Sequence, residues 1–119
     1  MTQLATGWDY DLERGPQCLF VRLHNEGENA DAEPPLAQQL WATLDEHMTY
    51  RLVLELDQVE VLRSYLIGQL LLLGRRLHAR GGTLRLCGLS PHNREALAAV
   101  RLEDHLPTYE NRYEAIVGF

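Results

Sequence analysis

The chain has 119 residues, of which 45% are hydrophobic and 24% charged, so its size and composition are those of one globular domain. Its 17 acidic and 11 basic residues give a formal net charge of -6, which argues against the basic surface of a direct nucleic-acid binder. Residues 1–6 lack the features of a secretory signal, and no apolar stretch is long enough to span a bilayer. We therefore expect a single cytoplasmic domain over residues 1–119, without membrane or direct nucleic-acid partners.

An N-terminal hairpin is predicted over residues 6–24. Residues 8–13 alternate between apolar and acidic side chains, as a half-buried strand does. A turn at Gly15-Pro16 separates this strand from a second one over residues 18–23. We interpret the acidic side of the first strand as a solvated edge rather than a cation site.

Residues 24–35 are polar and predict a loop, which leads into a helix. The apolar residues of this helix recur at helical spacing and are typical of a core-facing stripe. The stripe consists of Leu36, Leu40, Trp41, Leu44 and Met48.

Residues 50–89 predict a strand, a helix and a second strand. The first strand covers residues 52–56, and the second covers residues 83–89. Gly81 and Gly82 are expected to end the helix between them. Its buried face is predicted to consist of Leu66, Ile67, Leu70, Leu71, Leu73 and Leu77. A crossover of this length joins parallel strands, and such units are nearly always right-handed.

The remaining residues predict two terminal helices within residues 91–117. Ser90 is placed to cap the first helix, with Pro91 at its first position. Residues 107–110 predict an edge strand, and Asn111 resembles the start of a capping box for the last helix. The residues expected to be buried on these two helices are Ala96, Leu97, Val100, Ile116 and Val117.

The sequence offers no constellation of catalytic or metal-binding residues. Cys18 and Cys87 lack metal-ligand spacing and are predicted to be buried free thiols rather than a disulfide. No phosphate-binding loop motif is present, and the histidines show no ligand pairing; they are His24, His47, His78, His92 and His105. We expect no enzymatic activity, no metal and no cofactor.

Ser64 stands where the N-cap of the central helix is expected, just before Tyr65 begins the apolar periodicity. A helix start offers unpaired N–H groups and the positive end of the helix dipole, which would stabilise an oxyanion attached to Ser64. Capping alone would also explain a short hydroxyl residue at this position.

Residues 57–68 and 77–90 resemble the STAS domains of bacterial anti-sigma-factor antagonists. The most specific piece is the pattern RxxARGGTLRLCGLSP, and the resemblance covers about the C-terminal two thirds of the chain. It implies an α/β domain with a mixed sheet of about five strands and helices packed against it. It also implies a partner that is both an anti-sigma factor and a serine kinase, with Ser64 as the phosphorylated residue.

The family motif at this turn is an aspartate, two hydroxyl residues and a glycine. The corresponding residues here are Arg63, Ser64, Tyr65 and Leu66, and a glycine follows at Gly68. We take Arg63, Tyr65, Leu66 and Gly68 as candidate partner-binding residues. Arg63 could pair with a phosphate on Ser64 or remain a solvated surface arginine. The family also carries an aspartate in the preceding loop, for which Asp31 is the nearest candidate, and Glu26 and Glu28 are no better placed.

Three functional hypotheses follow. The first is an antagonist-like module that docks onto an anti-sigma factor or serine kinase and is switched by phosphorylation of Ser64. The alternative is a constitutive interaction scaffold that has the same fold and is not phosphorylated, and a homodimer formed through an apolar helix face is compatible with the composition. A nucleotide or small-molecule sensor is the third, and it lacks a phosphate-cradling loop.

Overall fold

A computed structural model describes residues 2–5, 8–25, 33, 35–102 and 105–119. The described ranges hold six strands and four helices. The strands are β1 (Thr2–Ala5), β2 (Trp8–Arg14), β3 (Leu19–Asn25), β4 (Arg51–Gln58), β5 (Thr83–Cys87) and β6 (Thr108–Tyr109). The helices are α1 (Leu36–Glu46), α2 (Ser64–Ala79), α3 (Pro91–Ala99) and α4 (Arg112–Ala115). None of these helices is long and apolar enough to cross a membrane.

The strands form one mixed sheet in the order β1-β2-β3-β4-β5-β6. β1, β2 and β3 pair antiparallel, whereas β3, β4, β5 and β6 pair parallel. This confirms the predicted α/β class, the hairpin and the parallel β4-α2-β5 unit, although residues 6 and 7 of the predicted hairpin lie outside the described residues. The acidic side of β2 is solvent-exposed at Asp11 and Glu13, as predicted, but the prediction that β2 is an edge strand was wrong, because β1 pairs with it and occupies the edge. β1 itself was not predicted.

Three helices cover one face of the sheet. α1, α2 and α3 each connect one parallel strand to its next neighbour, and connections of one hand that advance in one direction lie on the same side. The main core lies between these helices and the sheet, and it is dominated by leucines. The predicted buried face of α2 is confirmed at Leu66, Ile67, Leu70, Leu73 and Leu77, while Leu71 is partly buried.

A smaller apolar cluster lies on the opposite face, where α4 packs. It contains Cys18, Phe20, Val53, Cys87 and Ala115, with Tyr109 and Phe119 packed against it. Both cysteines are free and buried, as the sequence predicted. β4 contributes to both clusters because successive strand residues point to opposite faces.

The double glycine after α2 has a steric cause. Gly81 has φ +74°, a conformation that favours glycine. A Cβ at Gly82 would lie 1.9 Å from the carbonyl oxygen of Tyr50, which accepts a hydrogen bond from the Thr83 N–H at 3.0 Å. The close approach of residues 50 and 82 therefore allows β5 to begin in register beside β4.

Several residues predicted to be buried are exposed. Met48 is 82% exposed and has φ 51°, because α1 ends at Glu46 and the chain turns away from the core. Val100 is exposed because it follows the end of α3. The predicted burial of Ile116 and Val117 was also wrong, since Ala115 and Phe119 are the residues that attach the C terminus to the sheet.

Candidate functional site

The candidate site is the connection between β4 and α2. It lies at the carboxyl edge of the parallel strands, where β3 ends at Asn25, β4 at Gln58 and β5 at Cys87. Open α/β sheets place their functional loops at this edge. Residues 59–63 form the loop, and the structure brings it against the start of α3.

Ser64 is exposed and is the first residue of α2, not its N-cap. The N-cap is Arg63, which has extended backbone angles and makes no capping hydrogen bond through its side chain. The first hydrogen bond of the helix runs from the Ile67 N–H to the Arg63 carbonyl at 3.0 Å. The N–H groups that precede Ile67 are therefore not part of the internal hydrogen-bond pattern of the helix. This first turn, which the structure describes in full, carries no acidic side chain. An anionic group on Ser64 would therefore meet the positive end of the α2 dipole.

A buried asparagine holds the loop before Ser64. The Asn93 side chain is 1% exposed, and its Oδ1 accepts from the Leu62 N–H at 2.8 Å. Its Nδ2 donates to the carbonyls of Val59 and Glu60 at 3.0 and 3.3 Å. Ser90 is the N-cap of α3, as predicted, and its Oγ accepts from the Asn93 N–H at 3.1 Å. The loop is thus fixed by α3 from beneath.

Sequence analysis missed Asn93. The sequence pattern that could have identified it is its spacing: Asn93 lies four positions before Leu97, on the buried side of α3, where an apolar residue would be expected. A fully buried amide needs hydrogen-bond partners, and the backbone of the neighbouring loop supplies them.

The structure separates the candidate partner-binding residues into two groups. Arg63 is exposed, and Tyr65 and Gly68 are half-buried, so these three lie at the surface beside Ser64. Leu66 is 1% exposed and belongs to the main core, which removes its side chain from any contact surface. Burial, followed by the nearby Glu33 carboxylate, raises the pKa of the Tyr65 phenol.

The surroundings of Ser64 combine apolar and acidic groups. Val61 is 38% exposed in the loop, an apolar contact point that sequence analysis did not select. A polar cavity of about 340 Å³ lies at the same edge of the sheet and is lined by His24, Asn25, Asp57, Gln58 and Glu60. Asp57 is paired with Arg22 at 3.1 Å. In the described part of the chain, no group of three His, Cys, Asp or Glu side chains is placed to hold a metal ion. The loop candidates Asp31, Glu26 and Glu28 lie outside the described residues.

Residues 11–115 match the family model of the STAS domain. The chain therefore belongs to the STAS domain family, which confirms the resemblance seen in residues 57–68 and 77–90. A search of curated proteins finds no match.

Solved structures share the fold at low sequence identity. An anti-sigma factor antagonist from Mycobacterium paratuberculosis is 19% identical, with a TM-score of 0.72 over 97% of this chain and 96% of that one. A variant of RsbS from Moorella thermoacetica is 15% identical, with a TM-score of 0.73 over 91% of this chain and 92% of that one. The Bacillus cell fate determinant SpoIIAA in its phosphorylated form is 17% identical, with a TM-score of 0.63 over 89% of this chain and 96% of that one.

Proposed function

We propose that this STAS domain is a regulatory binding module of the anti-sigma-factor-antagonist type, and that it docks onto an anti-sigma factor with serine kinase activity. The observation that carries the proposal is the exposed Ser64 at the first turn of α2, presented by a loop that Asn93 fixes. Relatives of the same fold are described as anti-sigma factor antagonists, and one of them was solved in a phosphorylated form.

The proposed contact surface consists of Val61, Arg63, Ser64, Tyr65 and Gly68. It is partly apolar, since Val61 is exposed and Tyr65 is half-buried. Apart from its two chain neighbours and the nearby backbone of α2 itself, no atom of the described residues lies within 4 Å of a Cβ built on Gly68. Among the described residues, the helix surface there is open to a partner. Protein interfaces are enriched in aromatic residues and in arginine, and this surface contains one of each.

Phosphorylation of Ser64 would switch this surface off. A phosphoserine carries about -1.5 to -2 charges at neutral pH, and its desolvation within a partly apolar contact is unfavourable. The start of α2 would stabilise the same charge in the free protein. Modification therefore favours the unbound state without unfolding the domain, and the partner is released.

The second candidate function is a constitutive scaffold that uses the same surface without modification. Tyr65 favours it, because a half-buried aromatic ring stands where the family motif has a small hydroxyl residue. In this case the partner binds permanently, and a second copy of the chain is one candidate partner. Neither function includes a catalytic step or direct nucleic-acid binding. Both are proposed for the whole chain acting as one cytoplasmic domain, in which the two cysteines are reduced.

The first experiment is an intact-mass measurement of the protein isolated from its own cells during growth and stress, with fragmentation to place any phosphoryl group. The chain has two serines, and Ser90 is the internal control because its Oγ is occupied as the cap of α3. We expect phosphate on Ser64 and none on Ser90. Absence of phosphate under every condition would eliminate the switch and leave the scaffold.

A binding measurement then tests the direction of the switch. The partner is purified after chemical cross-linking to the unmodified protein, and its affinity is compared for the unmodified and phosphorylated forms. We expect Ser64→Ala to retain binding and Ser64→Glu to weaken it at least about tenfold, equivalent to about 1.4 kcal/mol. Arg101→Glu, two residues beyond the last residue of α3, changes the net charge by two and serves as the control. Equal weakening by both substitutions would point to overall charge rather than to the Ser64 surface.

A further inference from the structure

Three arginines meet at the end of the molecule opposite Ser64. Arg14 ends β2, Arg51 begins β4, and Arg80 follows the last residue of α2. They line one cavity of about 360 Å³, which we call the arginine cavity. Its remaining lining residues are Gly15, Pro16, Gln17, Cys18, Met48, Thr49, Tyr50, Gly81 and Gly82.

The arginine cavity is positively charged although the chain as a whole is acidic. Its lining contains no Asp or Glu among the described residues. Arg22 and Arg112 form ion pairs with Glu55 on the face of the sheet where α4 packs. Within the described ranges, Arg14, Arg51 and Arg80 form no such pair with a carboxylate. Three guanidinium groups that make no direct ion pair within the described ranges are thus concentrated in one concave surface of a chain with a net charge of -6.

Two of the guanidinium groups are held in place by neighbouring side chains. Arg80 stacks on the Tyr50 ring, with 4.5 Å between its guanidinium carbon and the ring centroid, and donates to the Tyr50 hydroxyl at 3.0 Å. That hydroxyl donates in turn to Asp45 at 2.6 Å, so this nearby carboxylate is engaged by the phenol. Arg51 donates to the Gln17 side chain at 3.4 Å. Side chains that are already ordered lose less conformational entropy when they bind a ligand.

We propose that the arginine cavity is a binding site for a phosphate-class anion. The planar guanidinium fork matches the geometry of phosphate oxygens, and several forks around one cavity provide charge-assisted hydrogen bonds from different directions. The ligand is inorganic phosphate or the phosphomonoester of a phosphorylated side chain, since the two share the recognised group. The cavity lies away from Ser64, so its test stands whether or not Ser64 is phosphorylated.

The test is a titration of the full-length protein with inorganic phosphate, followed by backbone amide chemical shifts, with chloride at matched ionic strength as the reference. We expect saturable shifts confined to residues 14–18, 49–51 and 80–82. Arg14→Gln and Arg80→Gln should each weaken binding at least about fivefold through the loss of a charge-assisted hydrogen bond. The Arg14 side chain is exposed at the end of β2, so its substitution should leave the fold intact.

The matched control is Arg94→Gln, which removes an exposed arginine from α3, and it should bind phosphate as the unchanged protein does. A second titration with amide-blocked phosphoserine identifies the source of the ligand. Tighter binding of phosphoserine assigns the cavity to a phosphorylated protein, and equal or weaker binding assigns it to the free ion. Shifts spread over the whole surface, no saturation, or equal losses in Arg94→Gln and Arg14→Gln would each overturn the proposal.

Discussion

At the scale of single residues, Asn93 determines the shape of the candidate site. Its side chain is buried and satisfies one N–H group and two carbonyls of the loop, at Leu62, Val59 and Glu60. Without it, the buried Leu62 N–H and Val59 carbonyl would be left without partners, which costs about 1–3 kcal/mol for each group. The same bonds hold the loop that leads into α2, where Ser64 is the first residue.

We predict that Asn93→Ala lowers the free energy of unfolding by about 3 kcal/mol, because at least two loop groups lose their partners. The measurement is urea unfolding, combined with hydrogen exchange of the Leu62 amide, whose protection should be lost. His92→Ala is the control, since His92 is the exposed neighbour on α3 and should change stability by less than about 0.5 kcal/mol. A similar small effect for Asn93→Ala would show that the loop keeps its shape without the clamp.

Among the elements, the short helix α4 is held by charged groups on the face of the sheet opposite α1, α2 and α3. Glu55 is 5% exposed and accepts from both Arg22, at 2.8 Å, and Arg112. Arg112 also bonds Glu13 and lies over the Phe20 ring at 4.2 Å. A helix of four residues cannot hold itself together, so these contacts and the apolar cluster around Ala115 stabilise its position.

We predict that Arg112→Met destabilises the protein by about 2 kcal/mol, because the buried Glu55 carboxylate keeps only Arg22 as its partner. Amide exchange in residues 112–119 should accelerate more than exchange in α2. Arg94→Met, on the exposed side of α3, is the matched control and should have little effect. Unchanged exchange in residues 112–119 would mean that the apolar cluster alone holds α4.

At the scale of the whole molecule, one sheet carries two apolar clusters, and its central strands contribute to both. Leu52 and Leu54 of β4 face the main core, whereas Val53 between them faces the smaller cluster. Loss of β4 would therefore disrupt both faces together. We expect the chain to unfold as one cooperative unit.

The prediction is a single urea transition with the same midpoint for probes of both faces. Tryptophan fluorescence reports the main core through Trp8 and Trp41, and far-UV circular dichroism reports the helices. Thiol labelling reports the smaller cluster, because burial raises the pKa of the Cys87 thiol to about 12 and leaves it unreactive in the folded state. Separate midpoints for thiol exposure and fluorescence would show that the two faces unfold independently.

Much of the fold could be predicted from periodicity and turn residues. The buried face of α2, the strands β4 and β5, the cap at Ser90 and the glycine pair that ends α2 follow from local patterns, and the structure confirms them. Element ends were less accessible. Met48 continues the apolar stripe of α1 in the sequence, but the structure places it beyond the end of the helix. The prediction failed there because an apolar stripe does not show where the backbone leaves helical geometry.

The candidate site could be predicted only in part, because local patterns do not show how the loop packs. Ser64 could be selected from its position before an apolar helix, yet it lies one residue after the cap. The loop that precedes it is held by Asn93, 29 positions later in the sequence. The burial of Leu66 and the exposure of Val61 likewise depend on how the loop packs against α3.

Spacing along the chain was enough to predict the parallel strand-helix-strand unit and to select the serine at its turn, because both depend on neighbouring residues. The fold class with its mixed sheet was predicted from the resemblance of the sequence to STAS domains. Local patterns do not predict the position of β1, the attachment of α4 through Arg112 or the grouping of Arg14, Arg51 and Arg80 around one cavity. Each of these features joins residues that are distant in sequence or belong to different elements. Their partners are selected by packing in three dimensions, which local periodicity does not record.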